Sequence, residues 1–232
     1  KFEYLAAAAF GKPPAWRDRL EWSEAVAADA ELRFERLPFA HPLWIVYSSG
    51  TTGLPKAIVH SHGGIVLTHL KTMALQHDLR PSDLLLFLGG TGWIVWNLQL
   101  GALLTGVSIV LYDGNPATPD LGVLWDLAAS AGITTFGMRR AFIAACLKAG
   151  VRPRQGRDLS RLRAVGSTGS PLAPEGFRWV YEELGSDTWL FSTSGGTDVC
   201  SAFVGGVPTL PVYEGELQAR SLGAKVEAFD ED

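Results

Sequence analysis

The sequence predicts an α/β fold, a mainly parallel sheet with helices on both of its faces. Three observations carry this. Short apolar runs alternate with helical stripes from Leu43 onward. The runs lack polar alternation, as strands covered on both sides do. Glycines and polar turns punctuate each change of period.

Residues 1–40 read as a lead-in piece, broken at Pro13–Pro14, with a short helix over Ala15–Ala28. Residues 41–232 read as the α/β core. Leu43–Tyr47 is a buried strand. Between Gly63 and His77, Val66, Leu67, Leu70, Met73 and Ala74 share one helical face, and Thr68, Lys71 and Thr72 face away. Leu84–Leu88 is a strand, Ile94–Leu104 a buried helix and Val107–Tyr112 the next strand. Leu121, Leu124, Trp125 and Ala128 follow helical spacing, and Gly132 fits the stop. Ile133–Phe136, Leu162–Val165 and Thr188–Phe191 are strands. Between them lie helical stripes at Phe142, Ile143, Cys146 and Leu147, and at Phe177, Val180, Tyr181 and Leu184. Gly150 and Gly185 stop those helices. Val151–Asp158 is a basic polar loop on a solvated face.

Composition excludes several classes. Apolar residues make up 47% and charged residues 19%, with eight Trp, so the chain has the means to build a core. Twenty Lys and Arg against 24 Asp and Glu give a net charge of −4. That balance excludes a nucleic-acid binder held by a broadly basic surface. No charged residue lies between Asp83 and Asp113, but the stretch holds five glycines and reads as strand, helix and strand, not as a membrane span. Cys146 and Cys200 lack metal or redox spacing and read as buried thiols in a reducing, cytoplasmic compartment. His60 and His62 form a lone His-x-His without a third ligand. The chain begins with Lys1, not Met, and reads as a piece of a longer protein.

Ligands of open parallel sheets bind beyond the carboxyl ends of the strands. Four loops rich in Gly, Ser and Thr follow predicted strands: Ser48–Lys56, Gly89–Trp93, Gly166–Pro171 and Ser192–Asp198. All four are expected on one sheet edge. Gly lets backbone approach a ligand, and hydroxyls with backbone N–H groups wrap phosphate oxygens. The first loop, Ser48-Ser49-Gly50-Thr51-Thr52-Gly53-Leu54-Pro55-Lys56, suits a polyphosphate, with Lys56 as the cation. It is not the Walker pattern, because Pro55 stands where that pattern has Gly.

That loop, read from Tyr47, resembles the phosphate-loop signature of the adenylate-forming superfamily of acyl-CoA synthetases, luciferases and peptide-synthetase adenylation domains. Within it the chain most closely resembles the acetoacetyl-CoA synthetases. The supporting runs are Gly92–Asn97, Leu111–Pro116, Gly166–Pro171, Ser194–Cys200 and Val226–Asp230. The resemblance implies part of the large N-terminal domain of such an enzyme. It also implies a two-step reaction using acetoacetate, ATP, Mg²⁺ and coenzyme A.

By motif match, Ser48, Ser49, Gly50, Thr51, Thr52, Gly53 and Lys56 hold the β- and γ-phosphates. Gly169, Ser170 and Pro171 line the adenine. Thr193, Ser194, Gly195, Gly196 and Thr197 run along the nucleotide, Thr197 near the α-phosphate, and Asp198 helps hold Mg²⁺. Trp93 and Ile94 form one acyl wall, while Gly195, where acetyl-CoA synthetases carry Trp, deepens the pocket. Thr168 offers its hydroxyl to the keto group. Trp96 packs in the core, and Arg139 and Arg140 either meet an anionic substrate or open a surface helix. The resemblance places the superfamily's ribose-binding Asp, hinge and C-terminal lysine beyond Asp232, so the piece is expected to be catalytically incomplete. An acyl-CoA synthetase of other short- or medium-chain specificity, and a non-catalytic nucleotide-binding module, remain open alternatives.

Overall fold

The computed structural model describes residues 22–27, 29–48 and 53–230. Residues 1–37 and 38–232 form two separate compact units. In the first, the only described helix is α1 (Trp22–Ala25).

The second unit is built on five parallel strands: β3 (Leu84–Phe87), β4 (Ser108–Ile109), β5 (Thr135–Arg139), β6 (Ala164–Thr168) and β7 (Trp189–Ser192). Their spatial order is β4-β3-β5-β6-β7. The helices are α2 (His62–Lys71), α3 (Ile94–Ala102), α4 (Val123–Ala131), α5 (Arg140–Lys148) and α6 (Pro174–Leu184). Gly132 ends α4 at φ 71°, as its position in the sequence predicts.

Helices cover both faces, which explains the unbroken apolar strands. On one face Leu86, Phe136, Val165 and Leu190 pack with Trp125 of α4, Ile143 of α5 and Val180 of α6. On the other, Leu85 meets Met73, which follows α2, and Ala102 of α3. At the amino ends of β3 and β6, Arg163 grips Asp83 with two hydrogen bonds of 3.0 and 2.6 Å. Burial alone raises the Asp83 pKa, but Arg163 and the Arg80 amide outweigh it and hold the carboxyl below its usual range. This pair braces the sheet at the end opposite the Gly-rich loops.

Two smaller sheets depart from the sequence reading. Leu43–Tyr47 lies in β1 (Pro42–Ser48), which pairs antiparallel with β2 (Lys56–Ser61) and not with the parallel sheet. The first Gly-rich loop therefore tops a hairpin, and only the other three follow parallel strands. Lys56–Ser61 mixes polar and apolar residues, so the run lacked a buried-strand signal. Likewise, part of the fourth loop is a strand. β8 (Ser194–Gly196) pairs antiparallel with β9 (Ser201–Gly205), which pairs with β10 (Ala219–Arg220).

The inward face of α2 is also rotated from the expected one. Ile65, His69, Thr72 and Met73 are buried, whereas Val66 and Leu67 are 38% and 60% exposed and Ala74 lies on the surface. Two of these polar groups find partners inside. His69 Nε2 lies 3.1 Å from the Cys200 carbonyl, and Thr72 Oγ1 lies 3.0 Å from Ser201 Oγ. Helix α3 is covered only along Val95, Gln99, Gly101 and Ala102, and Trp96 is half-buried rather than enclosed.

Candidate functional site

The strand order sets where a ligand fits. From β3 the chain turns through α3 to the edge strand β4, whereas from β5 it turns through α5 the other way to β6. The connections diverge between β3 and β5, which makes a crevice at their carboxyl ends. Trp93, following β3, and Arg139, ending β5, meet there. The Arg139 guanidinium sits 4.1 Å from the Trp93 ring centre.

A cavity of about 570 Å³ opens from this crevice. Of the residues singled out from the sequence, Trp93, Ile94, Thr168, Gly169, Ser170, Pro171 and Thr193 through Thr197 all line it. Three loops separate in the sequence are brought to one cavity. Ser167 and Ser192, from two of the loops singled out in the sequence, also line it, as do Thr72, His77, Ser201 and Glu216, which sequence reasoning missed.

Sheet register divides the cavity into two sides. Phe87, Gly137 and Gly166 stand in register, and Phe191 is the next partner of Gly166. Side chains built on Gly137 and Gly166 would run into the rings of Phe87 and Phe191, so both rings lie over the same sheet face. His77 stacks on Phe191 at 4.7 Å and marks that face as the α2 side. Met138, Ser167 and Ser192 are offset by one residue and point the other way. The hydroxyls of Ser167, Ser192 and Thr193 are buried with no partner among the described residues. Such donors await a ligand or water.

Ser49, Gly50, Thr51 and Thr52 lie outside the described residues. Ser48 and Lys56 face each other as the closing pair of the β1–β2 hairpin, and Gly53 holds φ 133°. Lys56 is exposed and does not line the cavity. The hairpin nevertheless reaches the loop that follows β7, because His60 Nε2 lies 2.8 Å from the Thr197 carbonyl. A carbonyl only accepts, so His60 donates from Nε2. His62 points elsewhere, tilted against His41 at 5.5 Å.

Two expectations about the acyl side change. The Thr168 hydroxyl donates to the Thr193 carbonyl at 3.0 Å, so its single proton is not offered to a ligand. Gly195 does line the cavity, but a Cβ built on it would overlap the Ser201 carbonyl oxygen and lie 2.8 Å from the Ala202 Cα. Glycine is required there for close strand pairing in the β8–β9 hairpin. At Gly196 a Cβ would have ordinary contacts, 3.7 Å from Asp198 and 3.9 Å from Phe203.

Asp198 is exposed beside Thr197 and makes no ion pair among the described residues. Among those residues no three His, Cys, Asp or Glu side chains gather to hold a metal. Mg²⁺ takes only one or two protein carboxylates and completes its shell with phosphates and water, so an exposed carboxylate without an ion pair is chemically compatible with it.

Cys200 and His69 touch, Sγ to Nε2 at 3.5 Å, without forming a reactive pair. Burial pushes the thiol up to about 12 and the imidazole down to about 4, so both stay neutral.

The sequence matches the AMP-binding enzyme family over residues 8–226. The chain belongs to that family. It is 46% identical to acetoacetyl-CoA synthetase of Gallus gallus over 202 residues, covering 87% of this chain and 30% of that protein. Against the acetoacetyl-coenzyme A synthetase of Rhizobium meliloti the identity is 48% over 201 residues, 87% and 31% of the two chains. Malonamoyl-CoA synthetase vrtB of Penicillium aethiopicum is 39% identical over 229 residues, 91% and 32% of the two chains. The solved acetoacetyl-CoA synthetase from Streptomyces lividans superposes with a TM-score of 0.87 at 52% identity, covering 95% of this chain and 34% of that one. The chain thus spans about a third of the length of these relatives. Among the described residues no helix is long and apolar enough to cross a membrane.

Proposed function

We propose that the chain is the nucleotide- and acyl-binding part of an ATP-dependent, AMP-forming acid–thiol ligase whose acid is a short 3-oxo acid, acetoacetate first. The observation that carries this is identity of 45–52% to acetoacetyl-CoA synthetases over 87–95% of this chain. The malonamoyl relative agrees in class, since acetoacetyl and malonamoyl groups both carry a carbonyl at C3.

In the first step a carboxylate oxygen of the acid attacks the α-phosphorus of ATP, and pyrophosphate leaves. In the second the thiol of coenzyme A attacks the acyl carbon, a proton is released and AMP leaves. The first step concentrates negative charge on five-coordinate phosphorus, so preorganised cations and N–H donors lower its barrier. In this reading Lys56 and the hairpin loop from Ser48 to Gly53 face the β- and γ-phosphates. Thr197, held by His60, sits near the α-phosphate. Gly169, Ser170 and Pro171 line the adenine, with Thr193, Ser194 and Gly196 along the nucleotide. Asp198 would hold Mg²⁺, which would neutralise phosphate charge. Trp93 and Ile94 wall the acyl group. Two buried free thiols, Cys146 and Cys200, suit a reducing, cytoplasmic setting.

The test is product analysis. Full-length protein incubated with ATP, Mg²⁺, coenzyme A and acetate, butyrate or acetoacetate is expected to yield acetoacetyl-CoA, AMP and pyrophosphate fastest. ADP as product, or equal rates for the three acids, would sink the reading.

A further inference from the structure

After α2 the chain makes one π turn, Thr72–Gln76, in which the His77 amide donates to the Thr72 carbonyl at 2.9 Å. Such turns are rare and gather at functional sites. This one buries Thr72, Met73, Gln76 and His77. Thr72 and His77 line the cavity, and His77 does so on the Phe191 side of the sheet.

Ser201, at the start of β9, meets Thr72 there. The two hydroxyl oxygens are 3.0 Å apart, with the residues 2% and 7% exposed. In a hydroxyl pair one group donates and the other accepts. The accepting hydroxyl keeps its own proton, and no described side chain or carbonyl takes it. The pair therefore keeps one unspent donor, and both of its residues line the cavity, as do His77 and the apolar Phe87, Val95, Leu98 and Ala202. His77 adds no charge, since burial holds its pKa near about 4. Among the described residues no Lys or Arg lines the cavity.

We propose that the Thr72–Ser201 hydroxyl pair binds the C3 carbonyl oxygen of the substrate acid. This rests on the 3-oxo-acid reading above. A carbonyl oxygen accepts and cannot donate, so it needs a free donor, and Thr168 has already spent its own. An acid lacking the oxygen leaves a buried donor unpaired, which a site of this kind penalises strongly. With Glu216 and no Lys or Arg among the described residues that line it, the cavity disfavours a second carboxylate and accepts an uncharged acyl end.

The experiment compares acetoacetate with butyrate, which has the same chain length without the keto oxygen. Pyrophosphate release is measured in full-length protein, and the readout is the ratio of the two kcat/KM values. The native protein is expected to favour acetoacetate and to reject malonate. Thr72→Val with Ser201→Ala is expected to lower the ratio about tenfold or more. Thr72→Ser keeps a hydroxyl and is expected to hold the ratio within about threefold of native. A native preference whose ratio is unchanged in every soluble variant overturns the hydroxyl assignment alone, as does equal loss of both acids. A native protein that activates butyrate and malonate as well as acetoacetate overturns the 3-oxo-acid reading and the assignment with it.

Discussion

His60 Nε2 reaches the carbonyl oxygen of Thr197 across 2.8 Å, joining residues 137 positions apart. The bond ties the Ser48–Lys56 hairpin to the loop that follows β7. These elements belong to different sheets, so side chains and not a strand ladder set their spacing. The Thr197 carbonyl also accepts from the Cys200 amide at 3.3 Å, closing the β8–β9 turn in which Cys200 holds φ 47°.

His60→Ala in the full-length protein should therefore slow ATP–pyrophosphate exchange by loosening Thr197. One neutral hydrogen bond is worth about 0.5–1.5 kcal/mol, so the expected loss is roughly twofold to tenfold. His60→Gln, which keeps an N–H donor, should recover part of it. Equal rates in native and His60→Ala protein would show that the bond positions nothing.

Lys56→Ala should cost more. A lysine facing developing phosphate charge makes a charge-assisted contact worth about 1.5–3 kcal/mol. Pyrophosphate exchange is expected to fall at least tenfold, with the thermal midpoint little changed because Lys56 is exposed. Native exchange rates in the variant would remove Lys56 from the phosphate site.

Gly195 and Gly196 should separate sharply. Gly195→Ala forces a methyl against the Ser201–Ala202 backbone, and overpacking of this kind costs about 1–3 kcal/mol. Gly196→Ala has room and should change stability little. Urea unfolding of both variants measures the difference. Gly195→Trp is accordingly expected to reduce acetate and acetoacetate activation in equal proportion, since backbone pairing fails before pocket size matters. Selective loss of acetoacetate would restore a direct size-filtering role to Gly195.

The buried histidines make stability pH-dependent. Burial, the largest cause, lowers both His69 and His77 from 6.5 to about 4. A lowered folded-state pKa means that the unfolded chain binds more protons between about pH 6.5 and 4. Stability is then full above 6.5 and is lost as pH falls towards 4. Shifts of this size correspond to roughly 3 kcal/mol per histidine once both states are protonated. Urea midpoints at pH 7.5 and 5 should show the decline, and His77→Phe should flatten it. A midpoint independent of pH over that range would mean that these rings are protonated or solvated when folded.

Much of the parallel core was legible because its strands are buried on both faces. Leu84–Phe87, Thr135–Arg139 and Trp189–Ser192 lie within one to three residues of their expected positions. The β1–β2 hairpin was not legible. Lys56–Ser61 has neither the alternation of a half-buried strand nor the apolar run of a covered one, so its pairing with Pro42–Ser48 leaves no local signature. The inward face of α2 was missed for a related reason. Apolar Val66 and Leu67 pointed to one stripe, while His69 and Thr72 turn inward to meet Cys200 and Ser201, 131 and 129 positions away.

By itself the sequence determined the alternation of strands and helices, the Gly-rich chemistry of the loops after them, and the family they resemble. Local periodicity and turn residues encode those features, because burial of one face and freedom of φ act within a few residues. Only the tertiary structure decided which hydroxyls are spent and which are free. It used Thr168 on the Thr193 carbonyl, left Ser167 and Ser192 without partners on one side of the sheet, and set Thr72 against Ser201 on the other. A hydroxyl has one proton to give, and where it goes depends on acceptors that folding brings near from distant parts of the chain.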